Sequence, residues 1–240
     1  MNEQPPSPLA RDPDGALFVH SVFNTIQGEG PFAGSPAVFV RLYGCNLQCP
    51  GCDTDYTSAR EHLSANELNR RVLKFRRDRD LARYSEPPLV VITGGEPLRQ
   101  NIGPFVTLLA DEGYRVQIET NGSYGLMEQV GLMALPTIVC SPKTPKISKE
   151  LLPHITAYKY VVSATSVNLA DGLPYTVLGL GSKRRPVARP HLGSFARVYL
   201  QPEDENDPVK NAANLEVAVA SCRRFGYTLC LQLHKQLGMP

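Results

Sequence analysis

The sequence predicts an α/β fold built on a mostly parallel sheet, and three observations support that expectation. Short, apolar, β-branched runs alternate with helix-forming stretches at intervals of about 20–40 residues, the pattern of βαβ units joined by right-handed crossovers. Each run ends in a glycine-rich or polar motif, as expected where parallel strands gather ligands at their C-terminal ends. The 240 residues, 42% of them hydrophobic, are enough for one sizeable core. They are short for eight βα units, so the expected architecture is an incomplete (β/α)6-like barrel with abridged helices.

The elements follow in order. Residues 1–16 are rich in proline and charge and are expected to form a disordered or loosely packed tail without function, leaving 17–240 as one core domain. Leu17 to Ile26 is a strand, Gln27 to Gly34 a glycine-rich turn, and Ala37 to Tyr43 a second strand that runs straight into a cysteine loop. Ser64-Ala-Asn-Glu67 has capping-box spacing and opens a helix from Ala65 to about Arg83. A buried strand from Pro87 to Thr93 ends in Gly94-Gly-Glu-Pro97, followed by a helix over roughly Asn101 to Glu112. Further strands are expected at Arg115 to Glu119, Thr137 to Cys140, Ala157 to Ser163 and Ala196 to Leu200. The stretch 165–195 breaks the pattern and is expected to be a solvated loop insertion with a basic run at 182–190. A last helix from about Ala212 to Phe225 and a strand from Thr228 to Leu233 complete the chain.

Composition narrows the function classes. A net charge of +2 gives no reason to expect nucleic acid or an anionic membrane as a partner. No stretch approaches a membrane span and the N-terminus lacks signal-peptide character, so a cytoplasmic protein with reduced thiols is expected. Of six cysteines, Cys140, Cys222 and Cys230 are scattered through apolar stretches and are expected to be small buried hydrophobes. The other three are clustered as Cys45-x3-Cys49-x2-Cys52. Structural zinc would require a fourth donor, for which Asp53, Asp55 and the remote histidines are the candidates. Three thiolates on an iron–sulfur cluster instead leave one iron free to bind a small molecule.

That x3-x2 spacing, with Thr93-Gly-Gly-Glu-Pro97, resembles the radical S-adenosylmethionine enzymes. From about residue 18 to the last residue the chain resembles, more narrowly, the 7-carboxy-7-deazaguanine synthase family of queuosine biosynthesis. Phe23-Asn-Thr-Ile-Gln-Gly-Glu-Gly30, Arg41, Asp53-Thr54, Gln201-Pro-Glu-Asp204 and the terminal Pro240 carry the likeness. The resemblance implies a radical lyase that converts 6-carboxy-5,6,7,8-tetrahydropterin to 7-carboxy-7-deazaguanine with loss of ammonia. It implies a [4Fe-4S] cluster on Cys45, Cys49 and Cys52, S-adenosylmethionine on its open iron, and Mg²⁺ on Thr54. Cofactor contacts are then expected from Gly51, Asp53, Gly95, Glu96, Asn121, Ser141, Pro142, Lys143, Gln201 and Asp204. Pterin contacts are expected from Ile26, Gln27, Gly28, Arg41, Thr93 and the carboxylate of Pro240. No side chain is needed as general acid or base for the first step, because the 5′-deoxyadenosyl radical abstracts hydrogen.

The resemblance also implies a homodimer reduced by an external electron donor such as flavodoxin, with no nucleic acid or membrane partner. Many radical enzymes carry an aromatic residue just before the third cysteine, whereas this chain has Gly51. Among the histidines only His234, near the terminus, is a site candidate. The alternatives are a glycyl-radical enzyme activase, which needs an open groove for a protein substrate, and a non-catalytic zinc-binding adaptor.

Overall fold

The computed structural model describes residues 2–77, 87–126 and 135–239. Its centre is a nine-stranded sheet. Strands β1 (Leu17–Ile26), β2 (Pro36–Leu42) and β3 (Glu61–Leu63) form an antiparallel edge. From β2 the sheet continues in parallel through β4 (Leu89–Gly94), β5 (Arg115–Thr120), β6 (Thr137–Cys140) and β7 (Ile155–Val162). A two-strand hairpin, β8 (Thr176–Val177) and β9 (Leu180–Gly181), stands apart, and β10 (Arg197–Pro202) and β11 (Thr228–Leu229) finish the sheet beyond β7. The order β11-β10-β7-β6-β5-β4-β2-β1-β3 leaves the sheet open, with β3 and β11 at its edges.

Parallel strands buried on both faces need apolar residues at consecutive positions, and β4 meets that need with Leu89, Val90, Val91 and Ile92, all without exposed surface. Val90 and Ile92 join the main core, together with Leu68, Val72, Phe105 and Leu200, while Leu89 and Val91 pack with Ala37 on the other face. Helix α1 (Ala65–Arg77) packs on α2 (Gly103–Asp111), and α3 (Pro208–Phe225) packs on β10. The capping box forms as read, with Ser64 N donating to Glu67 Oε2 (2.9 Å) and Glu67 N to Ser64 Oγ (3.3 Å). The expected continuation of α1 to Arg83 lies outside the described residues. No described helix is long and apolar enough to cross a membrane.

Four expectations are corrected. The N-terminal segment is not a loose tail: Ala10 bridges Gln100, and the Arg99 guanidinium donates to the Pro8 carbonyl. The insertion 165–195 is not merely solvated, because Leu173, Val177 and Val187 enter the main core and Arg189 is held by Asp171 and by the carbonyls of Pro174 and Val187. Only Lys183 to Arg185 of its basic run are fully exposed cations. Helix α3 starts earlier, at Pro208, where Asp207 caps Val209 N and Lys210 N and proline occupies the first turn without losing a hydrogen bond. The last strand stops at Leu229, and a short helix, α4 (Leu233–Leu237), turns back so that Leu233 N reaches the Gly28 carbonyl (3.2 Å).

Candidate active site

The motifs at the ends of β1, β2, β4, β5, β6 and β10 open onto one cavity of about 450 Å³. Its wall draws on β1, β2, β4, β5, β6, β7 and β10, and α4 contributes His234 and Lys235. Sixteen expected site residues line it: Ile26, Gln27, Arg41, Cys45, Cys49, Gly51, Cys52, Asp53, Thr54, Thr93, Gly95, Asn121, Ser141, Lys143, Gln201 and Asp204. Gly28, Glu96 and Pro142 do not, and Pro240 lies outside the described residues. His234 sits where a side chain at Gly28 would collide with its Nδ1, which explains that glycine.

The cysteine loop spans 43–60, between β2 and β3. All three cysteines are free thiols facing the cavity. Burial pushes the Cys45 thiol up to about 12 and raises Cys49 and Cys52 as well. Thiols shielded from water to this degree are poor isolated anions but good ligands, since a bound cationic centre removes the penalty on the thiolate. Among the described residues no three His, Cys, Asp or Glu side chains converge on one point fit for a single metal ion. A mononuclear zinc site needs such convergence, whereas a four-iron cluster does not, because each thiolate takes a different iron.

A Cβ on Gly94 or Gly95 would collide with the carbonyls of Leu42 and Gly44, so the glycines after β4 let two backbones touch. Gly95 N donates to Leu42 O (3.2 Å) and Glu96 N to Gly44 O (3.0 Å), tying the strand end to the root of the cysteine loop. Glu96 is fully buried, its carboxylate accepting from Thr120 Oγ1 (2.7 Å), Asn121 N (2.7 Å) and Leu98 N (2.9 Å). Its side chain therefore braces β4 against β5. Asn121 continues that brace to Asn46 Oδ1 (2.9 Å), and Lys143 Nζ is held by Ser141 Oγ (2.6 Å).

Arg41 and Thr93 stand opposite each other in the β2–β4 register. The Arg41 guanidinium lies over the Phe23 ring (5.3 Å), and its buried Nε has no protein partner. An orphaned guanidinium donor in a cavity wall suits an acidic or carbonyl-bearing ligand. Gln27 Nε2 donates to Glu119 Oε1 (3.0 Å).

Beneath these residues lies a charged cluster that sequence reading missed. Lys159, on β7, is ion-paired to Glu29 and stands 4.0 Å from Glu119. Burial opposes both charges of the pair, but the Lys159 ammonium holds Glu29 below its ordinary value, and Glu29 and Glu119 hold Lys159 above its own. Gln232 Nε2 donates to Glu29 Oε1 (3.0 Å), and Gln201, with its amide nitrogen turned to the carboxylate, donates to Glu29 at 3.1 and 3.2 Å. A lysine inside the apolar run Tyr158 to Val162 was the available signal. Asp204, expected at the cofactor, is held with Asp53 by Lys235 Nζ (2.9 and 3.0 Å), and its pKa falls to about 2 through that hydrogen bond and those from Asn206 N and Asn211.

No protein-family model matches the chain. A 7-carboxy-7-deazaguanine synthase from Rhodospirillum rubrum is 43% identical over 95% of this chain and 96% of its own length. One from Rickettsia prowazekii is 37% identical over 93% and 88%. The fold is similar to the crystal structure of QueE from Escherichia coli, with a TM-score of 0.62 at 22% identity over 90% of this chain and 94% of that one. With likeness at that level running through nearly the whole of both chains, this protein belongs to the 7-carboxy-7-deazaguanine synthase family.

Proposed function

We infer that this chain is a radical S-adenosylmethionine lyase that converts 6-carboxy-5,6,7,8-tetrahydropterin to 7-carboxy-7-deazaguanine and ammonia. The observation that supports it most is the meeting of three free cysteines, two buried and one half-buried, with Arg41, Thr93 and Gln27 on one cavity wall, in a chain of this family. The run of parallel strands supports reading the sheet as an incomplete (β/α)6-like barrel, with that cavity at its mouth.

Cys45, Cys49 and Cys52 would hold a [4Fe-4S] cluster, with S-adenosylmethionine along the β4, β5 and β6 ends at Gly95, Asn121, Ser141 and Lys143. When bound and reduced, this pair supplies a 5′-deoxyadenosyl radical able to take a hydrogen atom from C6 of the pterin. Arg41 would offer its unpartnered Nε to the pterin, with Gln27 and Thr93 beside it on the wall. The Thr54 hydroxyl would hold Mg²⁺, which prefers oxygen donors and leaves positions for substrate oxygens and water. His234 and Lys235 of α4 roof the cavity, which suits a small molecule better than the protein substrate of an activase. Family membership also supports a cytoplasmic homodimer and an external one-electron donor such as flavodoxin.

The test is anaerobic turnover with S-adenosylmethionine, reductant, Mg²⁺ and the carboxy-tetrahydropterin. A deazaguanine product and pterin-dependent formation of 5′-deoxyadenosine are expected. One zinc with no acid-labile sulfide, or 5′-deoxyadenosine formation indifferent to the pterin, refutes the assignment.

A further inference from the structure

We propose that Leu178, at the tip of the β8–β9 hairpin, supplies the apolar wall for the adenine of S-adenosylmethionine, in place of the side chain that Gly51 lacks. The inference rests on the function argued above and assigns one residue of its cofactor site.

Gly51 stands between Cys49 and Cys52 on the cavity wall, at an exposed knuckle of the cysteine loop. A Cβ built on it would rest in ordinary van der Waals contact with Glu203 Oε1 (3.4 Å), Leu178 Cα (3.4 Å) and Leu178 Cβ (3.5 Å). Leu178 therefore borders the space that a side chain at position 51 would enter. The contact is held from both sides. Gly51 N donates to Leu178 O (3.2 Å), and Gly179 lies so close to Pro50 that an added Cβ would sit 3.0 Å from its ring. The hairpin tip thus clamps the loop between its second and third cysteines.

The backbone supplies a second observation. Val177 pairs with Leu180, so Leu178 and Gly179 form a two-residue turn, with φ of +49° and +83°. Positive φ at both positions is the primed turn that matches strand twist, and its first position favours asparagine, aspartate or glycine. Leucine there is disfavoured by the contact between its Cβ and the following carbonyl. Only Leu178 and Asn206 among described non-glycine residues have positive φ. Strain of this kind persists where the surroundings hold the residue for a purpose. Here it leaves a half-buried Leu178 on the cavity wall, which it shares with Cys45, Cys49, Cys52 and the apolar Val161. A purine presents a flat apolar face, and dispersion against Leu178 and Val161 is the interaction that such a wall offers.

The experiment uses the anaerobically reconstituted full-length protein, with Leu178→Asn and Leu178→Met compared with the wild type. Asparagine tolerates the turn but removes the apolar face; methionine keeps it. Calorimetric titration with 5′-deoxyadenosine and, separately, L-methionine reads the two halves of the cofactor. Leu178→Asn should weaken 5′-deoxyadenosine and S-adenosylmethionine binding about tenfold. It should leave L-methionine affinity and the KM for the pterin within about twofold, with Tm unchanged or higher. Leu178→Met should bind like the wild type. Equal 5′-deoxyadenosine affinity in Leu178→Asn and wild type overturns the assignment, as does equal loss for both halves, or a Leu178→Met protein as weak as Leu178→Asn. A wild type that binds no S-adenosylmethionine would instead refute the functional reading itself.

Discussion

Replacing Lys159 by methionine removes the cation that faces Glu29 and Glu119 beneath the cavity. Glu29 and Lys159 are each only 11% exposed at the side chain, so neither charge is screened by water once its partner is gone. Breaking a buried pair by removing one member costs about 3–5 kcal/mol, because the other is left as an uncompensated buried charge. For a chain of this length that corresponds to a fall in Tm of about 6–20 °C. The sign with pH follows from the two shifts. Glu29 is held below its ordinary value of 4.5, so its contribution is present above that value and lost as pH falls through the folded pKa. Lys159 is held above its ordinary 10.5, so its contribution is present below that value and lost as pH rises through the folded pKa. The wild-type pair is thus fully present between 4.5 and 10.5, and the deficit of Lys159→Met should shrink as pH falls, since burial without the lysine raises Glu29 and lets the stranded carboxyl protonate. Anaerobic guanidinium denaturation across pH measures it. Adding Glu29→Gln should recover part of the loss, and Glu29→Gln alone should cost less, since Lys159 keeps Glu119 at 4.0 Å. A cost below about 1 kcal/mol, the range of surface pairs, would refute the reasoning.

Three further outcomes follow from the geometry. Gly95→Ala forces a methyl into the Gly44 carbonyl and should cost about 3 kcal/mol or more in a thermal melt, whereas Gly34→Ala, at φ +89° with open space around it, should cost about 1–2 kcal/mol. Gln4→Ala removes the amide that accepts from Tyr56 N (2.8 Å) and Thr57 Oγ1 (3.0 Å) and donates to Thr54 O (2.9 Å). It should cost about 1–3 kcal/mol locally, read as faster amide hydrogen exchange at Tyr56. Thr54→Ala should raise the Mg²⁺ concentration needed for half-maximal turnover while leaving the cluster's visible absorbance intact; loss of the cluster would mean that Thr54 serves the loop's fold instead.

What could be read from the sequence was local. The parallel strands announced themselves as apolar runs, and the motifs at their ends lie where parallel topology puts ligand groups, so most expected site residues meet in one cavity. Glu96 shows the limit: its motif marks the right place, but only the strand order reveals that its carboxylate accepts from Thr120 and Asn121. The N-terminal segment has the composition of a loose tail, and its order comes from partners about 40–90 residues away, which no local pattern records. Helix α4 is five residues long without a side-chain N-cap, too short for periodicity to mark. Lys159 and Glu29 lie 130 positions apart, and only the folded sheet brings them together.

The N-terminal segment and the cysteine loop explain each other. Residues 43–60 run without helix or strand between β2 and β3, a length at which an unsupported loop would sample many conformations. Three thiols must nonetheless be presented together, so the loop's backbone needs partners from outside it. Three such supports act close to the cysteines. The glycine turn after β4 holds Gly44, and the β8–β9 hairpin holds Gly51. The N-terminal segment holds the rest: Ser7 N donates to Cys45 O (2.6 Å), Asn2 N to Pro50 O (3.1 Å), and Gln4 bridges Thr54 to Tyr56. Each support meets the loop at or beside a cysteine or the threonine that follows, so the same contacts that order the chain also preset the ligand positions. Preordering of this kind lowers the entropy cost of binding a cluster. On that account a chain lacking residues 2–8 should still fold its sheet, yet take up iron and sulfide more slowly and lose them faster in air than the full chain. Equal uptake and equal loss would show that the loop organises itself.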